Sequence, residues 1–278
     1  MTPAAPWRVA IITAVPEVAA IYTEVVTALG HEPVVLIVPR WHKPGVRPYL
    51  SATELLADGP GGLDIVFPDS ERSLPTILRG YDVDLGLCTG LSWLLKADTI
   101  RTPPLGIVNG HPSPLPRYRG PFPIAWQVRN DETEIGLSYH LMDESFDTGN
   151  VLAQGAVPIG PDDWEAEVTV RLAMLAPTLL TTVFERLAAG DRGEPQEGGE
   201  YQSEFGDEYV ELDLTKPAAE VHRQVRAWTF VPPGLRRGPL HEGKQVARSS
   251  LSELAGGRRL ECADGPLWVI DSEPTEVR

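Results

Sequence analysis

Apolar positions along the first third of the chain switch between two periods. Arg8–Thr13 (RVAIIT) carries apolar residues on both faces and reads as a buried parallel strand. From Pro16 to Leu29 the apolar residues Val18, Ile21, Val25 and Leu29 recur at helical spacing, and Gly30 supplies the stop. Pro33–Val38 returns to a strand pattern, so the segment predicts a βαβ unit. Short strands are expected at Asp64–Phe67, Val83–Cys88 and Leu105–Val108, with a helix at Leu74–Leu78. Thr133–Met142 alternates through Ile135, Leu137, Tyr139 and Leu141, as an exposed or antiparallel strand does. Val151–Ile159 is a further strand, and Trp164–Leu187 is the longest helical pattern.

Gly190–Gly206 is rich in Gly, Glu and Gln and reads as a linker. Beyond it a helix is expected over Pro217–Ala227, followed by short strands at Gln245–Ala247, Arg259–Cys262 and Leu267–Ile270. Their spacing suits a small barrel or sandwich. The pattern therefore predicts a Rossmann-like α/β domain with a mostly parallel sheet over 1–202 and a small β-rich, barrel-like module over 203–278.

Charge sharpens that division. The 278 residues carry a net charge of -15, and the eight acidic residues from Glu194 to Asp213 stand without a single basic one. Residues 214–278 hold ten basic against eight acidic residues, a net of +2, so the first 213 carry -17. A field of that sign repels polyanions and disfavours nucleic acid as the main partner. Two cysteines exclude a disulfide framework and a four-cysteine zinc site. The six histidines lack metal-ligand spacing, so no metal is expected. No apolar run approaches the roughly 20 residues of a membrane span, and no export signal is read at the N-terminus. The expectation is a protein of the cytoplasm with no membrane partner.

The first strand–helix junction, Thr13–Glu17 (TAVPE), holds no glycine, which argues against a dinucleotide there. The chemistry concentrates elsewhere. A strand runs into Asn109 and His111, and carboxyl ends of parallel strands are where ligands bind in open sheets. The next ten residues, 112–121, contain four prolines and one glycine and predict a stiff, exposed loop. Asp147 stands before Thr148 and Gly149 in a second polar turn. Any one of these residues alone reads as an ordinary turn or strand-end residue.

Taken together, Asn109-x-His111-x-Ser113, then Leu-Pro-Arg-Tyr-Arg-Gly, then Met-Asp-x-x-x-Asp-Thr-Gly over 142–149, resemble the signature of the formyltransferases that use 10-formyltetrahydrofolate. The form is most similar to the methionyl-tRNA and sugar-amine subgroup. The resemblance extends over most of the chain and includes the Ala219–Ala227 helix, similar to the first element of that subgroup's small barrel domain. It implies Asn109, His111 and Asp147 as the catalytic trio. An amine attacks the formyl carbon; an Asn or His N–H donates to the resulting oxyanion, and imidazole and carboxylate relay protons.

The resemblance also implies a folate pocket at Ser92, Trp93 and Leu94, where the alternative is plain core packing, and at Met142 and Asp143. Ser113, Arg117 and Tyr118 are expected on the acceptor side. The sequence departs from the family at Gly110, where a bulkier residue is usual, and at Pro114, where leucine is. The C-terminal module is short, and Leu-Arg-Arg follows Phe230–Gly234 in place of an aromatic continuation. The expected acceptor is therefore a small-molecule amine: an amino sugar, an amino acid or a biosynthetic intermediate. Methionyl-tRNA is the alternative, supported by the basic loop Arg40–Arg47 (RWHKPGVR), and hydrolysis of the formyl-folate is a second one.

Overall fold

The computed structural model describes residues 5–39 and 62–272. The basic loop Arg40–Arg47 lies outside the described residues. The chain divides into two compact units, the first made of 1–120, 136–157 and 170–201, the second of 121–135, 158–169 and 202–278.

The first unit is built on a seven-stranded sheet of order β3-β2-β1-β4-β5-β6-β7. The strands are β1 (Arg8–Ile12), β2 (Glu32–Ile37), β3 (Asp64–Val66), β4 (Leu85–Thr89), β5 (Ile107–His111), β6 (Glu134–Leu141) and β7 (Val151–Pro158). Strands β1 to β5 pair in parallel and β6 runs antiparallel to β5. This is the expected α/β architecture. Strand β1 is apolar on both faces because it lies centrally, between β2 and β4.

Helix α1 (Pro16–Ala28) starts on a proline whose missing N–H costs nothing in the first turn. It ends where Gly30 takes φ +81°, a conformation that glycine adopts without a Cβ penalty. Two short helices, α2 (Leu74–Gly80) and α3 (Ala97–Arg101), line the chain on either side of β4. One core cluster joins Ala10, Ile12, Val35, Ile37, Leu74, Leu78, Trp93, Leu95 and Ile107, all from this unit.

Strand β6 is antiparallel, one of the two settings expected for it, and every residue from Ile135 to Leu141 is buried. Two sequence readings change. The stretch from 190 to 201 is not a free linker: Glu194 exchanges backbone hydrogen bonds with Val151, and Gln196 bonds three further groups. Glycine and glutamate content had hidden these backbone partners. Finally, among the described residues one helix, α5 (Glu165–Ala188, 24 residues), is long and apolar enough to cross a membrane by length and composition, where none was expected. Charged residues stand only near its two ends, and Leu172, Ala176, Leu179, Val183 and Leu187 form one buried stripe at helical spacing. Phe184 on the same helix stacks on His31 and Trp7 of the sheet unit, at 4.9 and 5.5 Å between ring centroids.

The second unit carries a four-stranded antiparallel sheet of order β10-β11-β9-β8: β8 (Leu240–His241), β9 (Lys244–Ser250), β10 (Arg258–Cys262) and β11 (Gly265–Asp271). Helix α6 (Ala218–Thr229) buries Val221 and Val225 against Val246, Leu260, Leu267 and Val269. Helix α4 (Pro123–Arg129) belongs to this unit and brings Trp126 and Arg129 to Phe205, Tyr209 and Trp228. Phe205 is 1% exposed, an anchor that its Gly- and Glu-rich surroundings concealed.

Candidate active site

Strand β5 delivers Asn109 and His111 on the same side, two residues apart, as the period of a strand requires. The second wall comes from the antiparallel neighbour β6, where His140 is paired in register with Asn109. The third comes from the turn between β6 and β7, which holds Asp147. Asn109, His111 and His140 are buried, and Asp147 is nearly so.

Backbone carbonyls fix both imidazoles. His111 Nε2 lies 2.9 Å from the carbonyl oxygen of Tyr118. A carbonyl only accepts, so Nε2 carries the hydrogen, and Nδ1 of the neutral ring is bare. His140 Nδ1 likewise donates to Leu141 O at 3.0 Å, leaving Nε2 bare to accept from Asn109 Nδ2 at 3.1 Å. The Asn109 amide keeps a second N–H for another acceptor. Asp147 Oδ1 stands 3.5 Å from His111 Nδ1 and 3.7 Å from His140 Nε2. Asp147 Oδ2 accepts the backbone N–H of Gly120 at 2.9 Å.

Burial pushes His111 below the ordinary histidine value, against the pull of the Asp147 charge and the Tyr118 carbonyl. On Asp147 burial acts upwards and is outweighed by His140 and His111, which turn a hydrogen towards it when they carry a proton, and by the Gly120 N–H; together these hold the carboxyl below the usual range. Near neutral pH the site thus presents a neutral imidazole and a carboxylate, two acceptors facing one space. Cys88, in register with Asn109 on β4, is no nucleophile: burial pushes its thiol up to about 12.

Local strain sets these positions. Tyr118 and Asp147 both adopt left-handed backbone, at φ +61° and +57°. Such conformations are costly for residues with a Cβ and persist where surrounding contacts impose them. In Tyr118 the turn aims the carbonyl at His111. Gly149 allows the Asp147 turn to close, since a Cβ there would lie inside the Leu141 carbonyl oxygen, at 1.7 Å.

The residues expected around this trio separate into distinct settings. The loop 112–121 is stiff but not exposed: Ser113, Leu115, Tyr118 and Gly120 are buried. It can be buried because its prolines bring no donors and its other amides are satisfied, Leu115 N by Ser138 Oγ and Ser113 N by His111 O. Ser113 is 0% exposed, and its hydroxyl donates to Arg117 O, so it braces the loop. Arg117 lies exposed over the buried Tyr118 ring, 5.5 Å from its centroid. Trp93 sits in the core cluster, while Ser92 is exposed and Leu94 is 47% exposed. Met142 packs on that same cluster. Asp143 accepts from Thr148 Oγ1 at 2.7 Å and Ser145 N at 3.1 Å, closing the turn that carries Asp147.

His140 lies outside the Ile135–Tyr139 phase that the apolar alternation of β6 picks out, so the sequence pattern does not single it out. The available signal was a histidine enclosed by Tyr139 and Leu141, since a buried imidazole requires partners.

Gly110 has a physical explanation. A Cβ added there would lie 2.6 Å from Tyr22 Oη and 3.0 Å from Tyr139 Cε1. The two tyrosines fill the space that a larger residue would take.

Comparison with known proteins bears on the family and the fold. Residues 69–184 match the family model described as formyl transferase. A methionyl-tRNA formyltransferase of Myxococcus xanthus is 31% identical over 232 residues, covering 78% of this chain and 74% of the relative. A namesake from a Synechococcus species is 34% identical over 208 residues, covering 73% of this chain and 63% of the relative. Among solved structures, an N-formyltransferase from Helicobacter canadensis, in complex with folinic acid and dTDP-3-aminofucose, has a TM-score of 0.68 at 17% identity. That likeness covers 96% of this chain and 100% of the other.

Proposed function

The chain belongs to the formyl transferase family, and from that premise we propose that it moves the formyl group of 10-formyltetrahydrofolate to the primary amine of a small molecule in the cytoplasm. The observation that carries the transfer is the arrangement of Asn109, His111 and Asp147. Asn109, held through one N–H by His140, offers the other to the formyl oxygen, where negative charge develops during attack. Asp147 and the bare Nδ1 of His111 face each other at 3.5 Å and take the proton that the attacking amine must lose. The same proton is then available for the leaving folate nitrogen. No metal enters the scheme. Ser92 and Leu94, exposed beside the buried Trp93, with Met142 packed on the Trp93 cluster and Asp143 in the Asp147 turn, supply apolar surface and backbone polar groups for the pterin.

A small acceptor is supported by charge. Wrapping a tRNA requires several Lys or Arg contacts to phosphate, and the first 213 residues carry -17. The second reading, methionyl-tRNA as acceptor, is favoured by the names of the sequence relatives and by the basic residues in Arg40–Arg47.

The deciding experiment supplies formyl-folate with amino sugars, sugar nucleotides bearing an amine, amino acids and initiator methionyl-tRNA, and identifies N-formyl products by mass. Formylation of a small amine is expected. Efficient formylation of the tRNA, with micromolar, strongly salt-dependent binding, selects the second reading. Release of formate without any amide product identifies a hydrolase.

A further inference from the structure

The turn holding Asp147 is strained, and the groups that keep it in place come from a segment whose composition suggested none. Gln196 lies in the Glu194–Tyr201 stretch, part-buried. Its Nε2 donates to two carbonyls of the turn, Asp147 O at 3.0 Å and Gly149 O at 2.7 Å. Its Oε1 accepts from Arg119, from Nε at 3.2 Å and from the terminal nitrogen at 2.8 Å. Arg119 immediately precedes Gly120, whose N–H binds the Asp147 carboxylate. Arg119 is also bridged through its backbone to Tyr201, on the same strip of chain as Gln196.

We propose that Gln196 is a positioning residue for formyl transfer, acting through Asp147: its carboxamide ties the backbone of the Asp147 turn to Arg119, and so to the Gly120 N–H that holds the carboxylate. The proposal rests on the formyl-transfer reading of the site. All four hydrogen-bonding contacts of the carboxamide are used in one sense. Both hydrogens go to the turn and the oxygen goes to the guanidinium, so the orientation of the amide is set by the charge of Arg119. Every part of the chain is thereby given a distinct task. Arg119 fixes the amide, the amide fixes the main chain at Asp147 and Gly149, and Gly120 fixes the side chain of Asp147. A turn with a non-glycine residue at φ +57° relaxes when its ties are cut, and small misplacements of a reacting group are costly to rate.

The residue also has a variant that separates positioning from stability. In Gln196→Glu the oxygens still accept from Arg119, now as an ion pair, but nothing donates to the two carbonyls and a negative charge faces them. Gln196→Ala removes both ends. Turnover, KM for formyl-folate, thermal midpoint and the pH profile of kcat are measured for both, together with the 15N-detected titration of His111, which needs no activity.

The expected result for the glutamate variant is a thermal midpoint close to that of the wild type, the ion pair with Arg119 offsetting the two lost donations, and a kcat at least ~10-fold lower, with the folate KM within ~2-fold, a size typical of lost orienting partners. The acid limb of its profile moves to lower pH, because a loosened turn takes the Asp147 charge away from His111, the group that protonates first as pH falls. The alanine variant is expected to lose kcat too, with His111 titrating lower as less carboxylate charge faces it. A kcat within ~2-fold of wild type in both variants overturns the proposal, as does a loss that only follows the thermal midpoint. If the wild type transfers no formyl group, it is the reading of function that fails. The His111 titration then decides the clamp alone, an unchanged curve in Gln196→Ala overturning it.

Discussion

His111 Nδ1 stands 3.5 Å from Asp147 Oδ1, and it is the ring nitrogen without a hydrogen that faces the carboxylate. Two acceptors so placed repel each other mildly while empty and share a proton once one arrives. The pair is arranged around the product of amine attack rather than around the resting site, as transition-state complementarity requires.

Removing either member of the pair is expected to cost a proton-transfer step. His111→Ala and Asp147→Asn should each lower kcat by at least ~10², while folate affinity stays near the wild-type value, because both side chains address the formyl end. Steady-state kinetics beside a folate-binding titration check this.

Acid should reduce both activity and stability. Burial lowers the proton affinity of His111 and of His222 in the folded chain. The unfolded chain takes up those protons at about 6.5, so the stabilisation is complete above that pH and drains away as pH falls towards the folded-state values. Asp147, lowered in the folded state, adds a further loss when pH falls through the carboxylate range. Urea midpoints measured from pH 8 to pH 4.5 should decline monotonically below about 6.5. The kcat profile should keep its plateau to a lower pH than an ordinary histidine would allow.

At Gly110 a methyl group has no room. Gly110→Ala should destabilise by about 1–3 kcal/mol through overpacking, since its Cβ would lie 2.6 Å from Tyr22 Oη. Adding Tyr22→Phe removes that oxygen, although Tyr139 Cε1 at 3.0 Å remains close. The double variant should be more stable than the sum of the single losses predicts, and a double-mutant cycle from denaturant unfolding measures the coupling.

In the second unit Phe205 packs on Trp126, Tyr209 and Trp228 at 5.0, 4.8 and 5.2 Å between ring centroids. The Arg129 guanidinium lies over Tyr209 and Trp126 at 4.2 and 4.6 Å. Phe205→Ala should therefore cost about 3–5 kcal/mol, read as a lower thermal midpoint and as lost near-ultraviolet dichroism from the tryptophans.

How far the chain could be read depended on which residues announce themselves locally. Strands β1 and β2 and helix α1 were legible because β-branched runs and a four-step apolar spacing are properties of neighbours in sequence. Asn109, His111 and Asp147 were legible through a spaced motif. His140 was not, because β6 is buried on both faces and alternation then carries no information about either. Gln196 and Phe205 were hidden for another reason. A single side chain in a Gly- and Glu-rich stretch gains its meaning from groups about 50 to 80 positions away, such as Asp147, Arg119 and Trp126. Helix α3, of five residues, is too short to display a period.

The carbonyl of Tyr118 has one further effect. By occupying the Nε2 hydrogen of His111 it denies the ring a second door. A proton admitted at Nδ1 must leave by Nδ1, so the imidazole stores and returns it instead of passing it inward behind β5. Each turnover then closes its hydrogen inventory on the ligand side of the site.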